Sequence, residues 1–109
     1  MEICLDEYME LHEVQKASIK KTVHKPLYVR GKSFYGKSYI YTMPNGNEVL
    51  VSYTTPVVVW DKESDMVIKL QKNDKYTCSS TTMRHINSFL YWHNKKGMSV
   101  GKWRKITMI

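Results

Sequence analysis

The spacing of apolar and polar positions changes character along the chain, from helical to alternating and back to helical. Between residues 5 and 21, Leu5, Tyr8, Met9, His12 and Ile19 fall near one face at helical spacing, with Leu11 and Val14 off that stripe. Acids come first in this stretch and Lys16, Lys20 and Lys21 come last, the order that suits the helix dipole. Lys25-Pro26 ends the element, because a residue before proline avoids helical angles. An N-terminal helix within residues 1–25 is the expectation.

From residue 33 to 78 the period is that of strands. Phe34, Tyr35, Tyr39, Ile40 and Tyr41 are strand formers, and Asn45-Gly46 between two such runs predicts a tight hairpin with positive φ at both central residues. The return strand is expected over about Glu48 to Thr54, and Pro56 asks for a bend or bulge. Val57 to Trp60 and Met66 to Leu70 read as further strands on either side of a polar turn, and Tyr76-Thr77-Cys78 as a short extended entry. A second helix is expected over residues 80–96. Ser80 or Thr81 can cap it, Met83, Ile86, Phe89, Leu90 and His93 make its stripe, and Gly97 takes its C′ position. The tail, residues 99–109, holds Val100, Trp103 and Ile106 among bases and reads as a final strand. The whole is one α+β domain spanning residues 1–109. A small antiparallel sheet of four or five strands packs against the helix of the C-terminal half, and the N-terminal helix lies at an edge or on the other face.

Charge adds a second pattern. The net charge is +7. Residues 1–13 hold acids only, residues 14–40 hold bases only, residues 41–83 are nearly neutral, and residues 84–109 again hold bases only. Two cationic blocks of this kind attract polyanions such as nucleic acid, or an acidic protein face. No apolar run is long enough to cross a membrane. The acidic, amphipathic start is unlike a secretory signal, so the expected location is the cytoplasm of the cell that makes the protein. Cys4 and Cys78 belong to no Cys-x-x-Cys pair and read as small buried hydrophobes.

The central residues carry a resemblance. Ser33-Phe34-Tyr35-Gly36-Lys37, then Leu50-Val51-Ser52-Tyr53-Thr54-Thr55-Pro56-Val57, then the run from Tyr76 to Leu90 with Thr81-Thr82-Met83-Arg84-His85, resemble an uncharacterised small domain family of phage and mobile-element proteins. Ser38 stands where that family usually has alanine, and Cys78 precedes the Ser/Thr run. The resemblance covers residues 33–90 and implies a phage or mobile-element origin and no catalytic chemistry.

The residues themselves offer little chemistry. Four histidines and two cysteines lack zinc spacing, although a site built from Cys78 and His85 is open to construction by the fold. Asp61, Glu63 and Asp65 alternate like the start of a calcium loop, but Met66 and Lys72 stand where glycine and glutamate are needed. Ser79, Ser80, Thr81 and Thr82 cluster before His85 without a nucleophile elbow. They suit a helix cap and, with Arg84, an anion cradle. No metal and no cofactor are expected. What remains is aromatic side chains interleaved with bases, as nucleic-acid binders and protein hot spots use them. Tyr35, Lys37 and Tyr39 share one strand face with Tyr41, taken here as the outer face. Arg84 begins the second helix, and Tyr91, Trp92, Lys95, Lys96, Lys102, Trp103, Arg104 and Lys105 crowd the chain's end. These are the expected binding residues. The expected activity is non-catalytic inhibition of a host defence nuclease of the CRISPR type by contact with the nucleoprotein complex, including guide RNA or DNA. A sequence-tolerant DNA or RNA binder is the alternative. Neither a membrane nor a small-molecule substrate is expected.

Overall fold

Strong β-formers between local turns produce a sheet whose strands follow one another in chain order. The computed structural model describes residues 10–24, 37–70 and 80–106. Strands β1 (Lys20–Val23), β2 (Ser38–Thr42), β3 (Glu48–Ser52), β4 (Thr55–Asp61) and β5 (Met66–Lys69) form one antiparallel sheet in that order. Helices α1 (Leu11–Ala17), α2 (Ser80–Trp92) and α3 (Val100–Lys105) complete an α+β domain.

Both faces of the sheet are covered. Leu50 and Val58 pair with Ile40 and Lys69 on the α2 side, where Ile40, Leu50, Val58 and Val67 pack against Met83, Ile86, Phe89, Leu90 and Trp103. Tyr41, Val49, Val51 and Val59 face the other way and pack against Val14 of α1, with Leu11 and Ala17 beside it. This double cover explains why Val49-Leu50-Val51 and Val57-Val58-Val59 are apolar at consecutive rather than alternate positions. Tyr41 is 4% exposed, so the tyrosine side of β2 is a core face and not an outer one.

The turns match the sequence in part. The Pro44-Asn45-Gly46 loop joins β2 to β3, with Gly46 N–H donating to Met43 O at 2.9 Å and Met43 N–H to Asn47 O at 2.8 Å. Only Gly46 has positive φ, at 92°, because this register leaves three residues in the loop rather than two. A second turn, Tyr53-Thr54, was hidden inside the expected return strand. Tyr53 sits at φ 57°, a left-handed conformation that costs about 1–2 kcal/mol outside glycine. Its N–H donates to Lys37 O at 2.6 Å, a bond that ties the turn to the chain entering β2. The register shifts between Leu50 and Val51, leaving Val57 as the extra residue of a bulge next to Pro56.

Three elements differ from the sequence reading. α1 begins at Leu11 after an extended Glu10 and ends at Ala17. Its buried stripe is Leu11, Val14 and Ala17, while His12 is exposed and Ile19 is 70% exposed. Of the expected stripe, His12 is on the outer side of α1 and Ile19 lies beyond its end, while Leu5, Tyr8 and Met9 lie outside the described residues. Lys20 and Lys21, expected at the helix end, open β1 instead. The tail is helical over Val100–Lys105, because Val100, Trp103 and Ile106 recur every third residue and put one helix face on the core. The expected strand residues 33–37 before β2 (Lys37 apart), the strand at 76–78, the helical start at residues 5–9, and Cys4 and Cys78 lie outside the described residues.

Candidate functional site

At one end of the sheet, polar side chains line an otherwise apolar interior. Ser38 and Ser52 are cross-strand partners on the α2 face. His24 Nδ1 and Ser38 Oγ share a hydrogen bond of 2.6 Å, and Ser52 Oγ and His85 Nδ1 share one of 2.7 Å. Thr82 Oγ1 lies 3.0 Å from Ser52 Oγ, within hydrogen-bond reach. All five side chains are buried. The Tyr53 ring lies 5.9 Å from that of His85, and the His24 ring meets Phe89 edge-on at 6.3 Å. Burial pushes the His24 imidazole down to about 4, with the nearby His85 adding to the effect, so His24 is neutral at pH 7. A serine and an imidazole at 2.7 Å have the spacing of a nucleophile and its base. Ser52 is 2% exposed and His85 fully buried, so no substrate reaches them in this conformation. The pair ties α2 to β3. Thr82 is committed to the same contact, so its hydroxyl is not part of an outward anion cradle at the start of α2.

The other end of α2 is locked by its chain reversal. Lys95 N–H donates to Leu90 O at 2.7 Å and Asn94 N–H to Tyr91 O at 3.0 Å, with Asn94 at φ 60°. This is a Schellman closure, and Asn94 rather than Gly97 fills C′. Gly97 has a different role. A Cβ there would overlap the Tyr91 hydroxyl, where the chain folds back along α2. Asn87 holds the returning segment from both sides, accepting from Met98 N–H at 2.8 Å and donating to Met98 O at 3.0 Å. The Trp60 ring stacks on His93 at 4.2 Å, His93 Nε2 donates to Glu48 at 2.8 Å, and Trp60 Nε1 donates to Asp65 at 2.7 Å. That indole bond lowers the Asp65 carboxyl below its ordinary value, and the Ser64 hydroxyl does the same for Asp61. The Asp61 and Asp65 carboxylates are thus engaged within the turn and by its neighbours, while Glu63 is exposed. No group of three His, Cys, Asp or Glu side chains among the described residues converges as a metal site would require.

α3 presents the cations. The Ser99 hydroxyl caps its start, accepting from Lys102 N–H at 3.2 Å, and Trp103 anchors its inner face. Lys69 Nζ donates to Trp103 O and Arg104 O at 3.0 and 3.1 Å and closes its end. The outer face is left to Lys102, Arg104 and Lys105, all exposed, with exposed Lys96 in the connection before it. No described acid forms an ion pair with any of these four.

The expected binding residues therefore divide. Lys96, Lys102, Arg104 and Lys105 are on the surface as expected. Lys95 is half-buried and lies 3.6 Å from Asp65. Arg84, in the second turn of α2, and Lys37, at the entry to β2, are exposed as well. Trp103 is 2% exposed and belongs to the core, and Tyr39 and Tyr91 are half-buried against their neighbours. Trp92 is 61% exposed, beside a groove bordering β1 rather than beside the α3 cations. Tyr35 lies outside the described residues. Trp103 is thereby corrected from the surface to the core, where its bulk helps to close the α2 side, and Tyr39 and Tyr91 are only in part available. The sequence reading also missed the β1 edge. Thr22-Val23, β-branched and following two lysines that fit no helical stripe, was its available signal.

No helix among the described residues is long and apolar enough to cross a membrane. Comparison with curated proteins and with solved structures finds no match. A family model described as a family of unknown function, DUF8033, matches residues 22–105, from β1 through α3. With β2 to β5, α2, α3 and the end of β1 inside that match, the chain belongs to the DUF8033 family.

Proposed function

We propose that this domain acts by contact rather than catalysis, and that the cationic outer face of α3 grips the phosphate backbone of a nucleic acid. One observation carries the reading. Lys102, Arg104 and Lys105 stand exposed on a helix pinned by Trp103, with no described acid paired to them. Charges held apart from local counterions on a fixed support attract a polyanion and release its counterions on binding. Because Trp103 is buried and Tyr91 half-buried, the grip works through phosphate rather than base stacking. Duplex and single-stranded nucleic acid are then bound alike, with little regard for sequence.

The more specific role proposed is that of a phage or mobile-element protein that blocks a host defence nuclease of the CRISPR type. Its support is the resemblance carried by residues 33–90, together with a cationic surface suited to competing for guide RNA or DNA.

Binding of labelled duplex and single-stranded DNA, followed by fluorescence anisotropy over a salt series, tests the first reading. Log affinity is expected to fall linearly with log salt. The Lys102→Ala/Arg104→Ala/Lys105→Ala variant is expected to flatten the slope by about 3, near one unit per lost phosphate contact. Absence of binding to either nucleic acid at low salt overturns it. Undiminished target cleavage by CRISPR nucleases in the presence of excess protein overturns the second.

A further inference from the structure

A second surface, independent of α3, lies along β1. This strand is an edge of the sheet, and no described residue pairs with its outer side. His24 N–H donates to Ser38 O at 3.0 Å, and the antiparallel alternation then puts Lys20 and Thr22 on the bonded side as well. Lys21 and Val23 consequently turn their N–H and C=O groups outward, two donors and two acceptors in strand geometry. The flanking side chains alternate in character. Val23 is 55% exposed on the α1 side, where Lys21 Nζ sits 4.2 Å from the centre of the Tyr39 ring, and Ile19, 70% exposed, precedes the strand with its N–H donating to Thr42 O at 2.8 Å. On the α2 side a groove of about 420 Å³ borders the strand, lined by Lys20, Thr22, Ile40, Glu48 and the exposed Trp92, with the Glu48 carboxylate taken by His93 at 2.8 Å.

Lysines on an edge strand are a common guard against pairing. Here they stand between exposed apolar side chains, and no described acid forms an ion pair with Lys20 or Lys21. We infer that β1 accepts an extended segment of a partner protein as a sixth, antiparallel strand, and that this segment reads apolar-apolar-acid-acid-apolar. The register follows from the alternation of faces. The first apolar residue lies opposite Val23. The second, opposite Thr22, points into the groove beside Trp92. The two acids lie opposite Lys21 and Lys20, and the last apolar residue meets Ile19. A second copy of the chain fits poorly, because antiparallel pairing of two β1 strands would gather four lysines at one seam. A nucleic acid cannot continue the backbone ladder.

The test uses the full chain and a labelled Thr-Val-Val-Glu-Glu-Val-Thr peptide. Saturable binding is expected, with amide exchange of Lys21 and Val23 slowed at least tenfold by the peptide. Val23→Pro removes an outward N–H and leaves the inward bonds in place, so it is expected to weaken binding at least tenfold with an unchanged far-ultraviolet spectrum. Lys20→Glu with Lys21→Glu is expected to lose this peptide and to gain the version with two lysines in place of the glutamates. No binding at millimolar peptide, equal affinity of the natural chain for both peptides, protection at α3 instead of β1, a dimer sealed through β1, or an oligonucleotide protecting the same amides would each overturn the inference.

Discussion

The α2 face and the α1 face of the sheet are closed by different means. On the α2 side a 13-residue helix buries Met83, Ile86, Phe89 and Leu90, and α3 adds Trp103. Four apolar anchors and a tryptophan leave room for polar groups at one end, where Ser38, Ser52, Thr82, His24 and His85 find directional partners. Among the described residues, the cover on the α1 side is a 7-residue helix with Val14 as its one fully buried side chain. Tyrosines widen that cover. Tyr41 is buried and accepts from Gln15 Nε2 at 3.3 Å, and Tyr39 lies under Lys21. A two-turn helix has too few internal hydrogen bonds to hold itself, so α1 persists through packing alone. The contrast teaches where stability concentrates: the α2 face carries the global fold, and the α1 face is the part that opens first.

Four experiments probe the difference between the two faces. Phe89→Ala is expected to cost about 4 kcal/mol by urea denaturation, since it empties the centre of the larger core. Acid is expected to act next, and through the same face. His24 is held near 4 in the fold against 6.5 unfolded, so protons bind the unfolded chain more readily between those values. Its contribution is complete above pH 6.5 and is lost as pH falls toward about 4, roughly 3 kcal/mol in all. Urea midpoints from pH 7 to pH 4 measure it, and His24→Gln should flatten the profile in that window. A profile unchanged by His24→Gln would remove the buried imidazole from the account. The depressed Asp61 and Asp65 act below their ordinary carboxylate value of 3.8, a separate window.

Ser52→Ala takes one partner from His85 and one from Thr82 in a buried setting, with an expected cost of about 2 kcal/mol. Val14→Ala is the smallest change, about 1.5 kcal/mol from the buried carbons removed. Hydrogen exchange should show its effect first in the amides of α1, before those of α2. A Val14→Ala cost equal to that of Phe89→Ala would erase the distinction between the faces.

Several of these features were legible in the residues. The stripe of Met83, Ile86, Phe89 and Leu90 gave α2, and Asn45-Gly46 gave the β2–β3 hairpin, because both signals are local and strong. The exposed bases of α3 were legible as well, since Lys102, Arg104 and Lys105 have no apolar face to offer. The Tyr53-Thr54 turn was not, as it contains none of the usual turn residues and Tyr53 is kept left-handed by the fold around it. Nor was the buried state of Trp103. Its spacing with Val100 and Ile106 was helical, but a short run rich in β-formers reads equally as a strand until something packs on it.

The chain by itself determined the α+β class, the run of antiparallel strands, the α2 helix and the excess of positive charge, all of which depend on neighbours in sequence. The folded arrangement was needed to decide which side of β2 lies under α1, that Ser52 meets His85 across 33 positions, and that Tyr41 and Trp103 go inward while Trp92 stays out. A strand carries two faces with the same period, and nothing local distinguishes a face that another element will cover from one that water will.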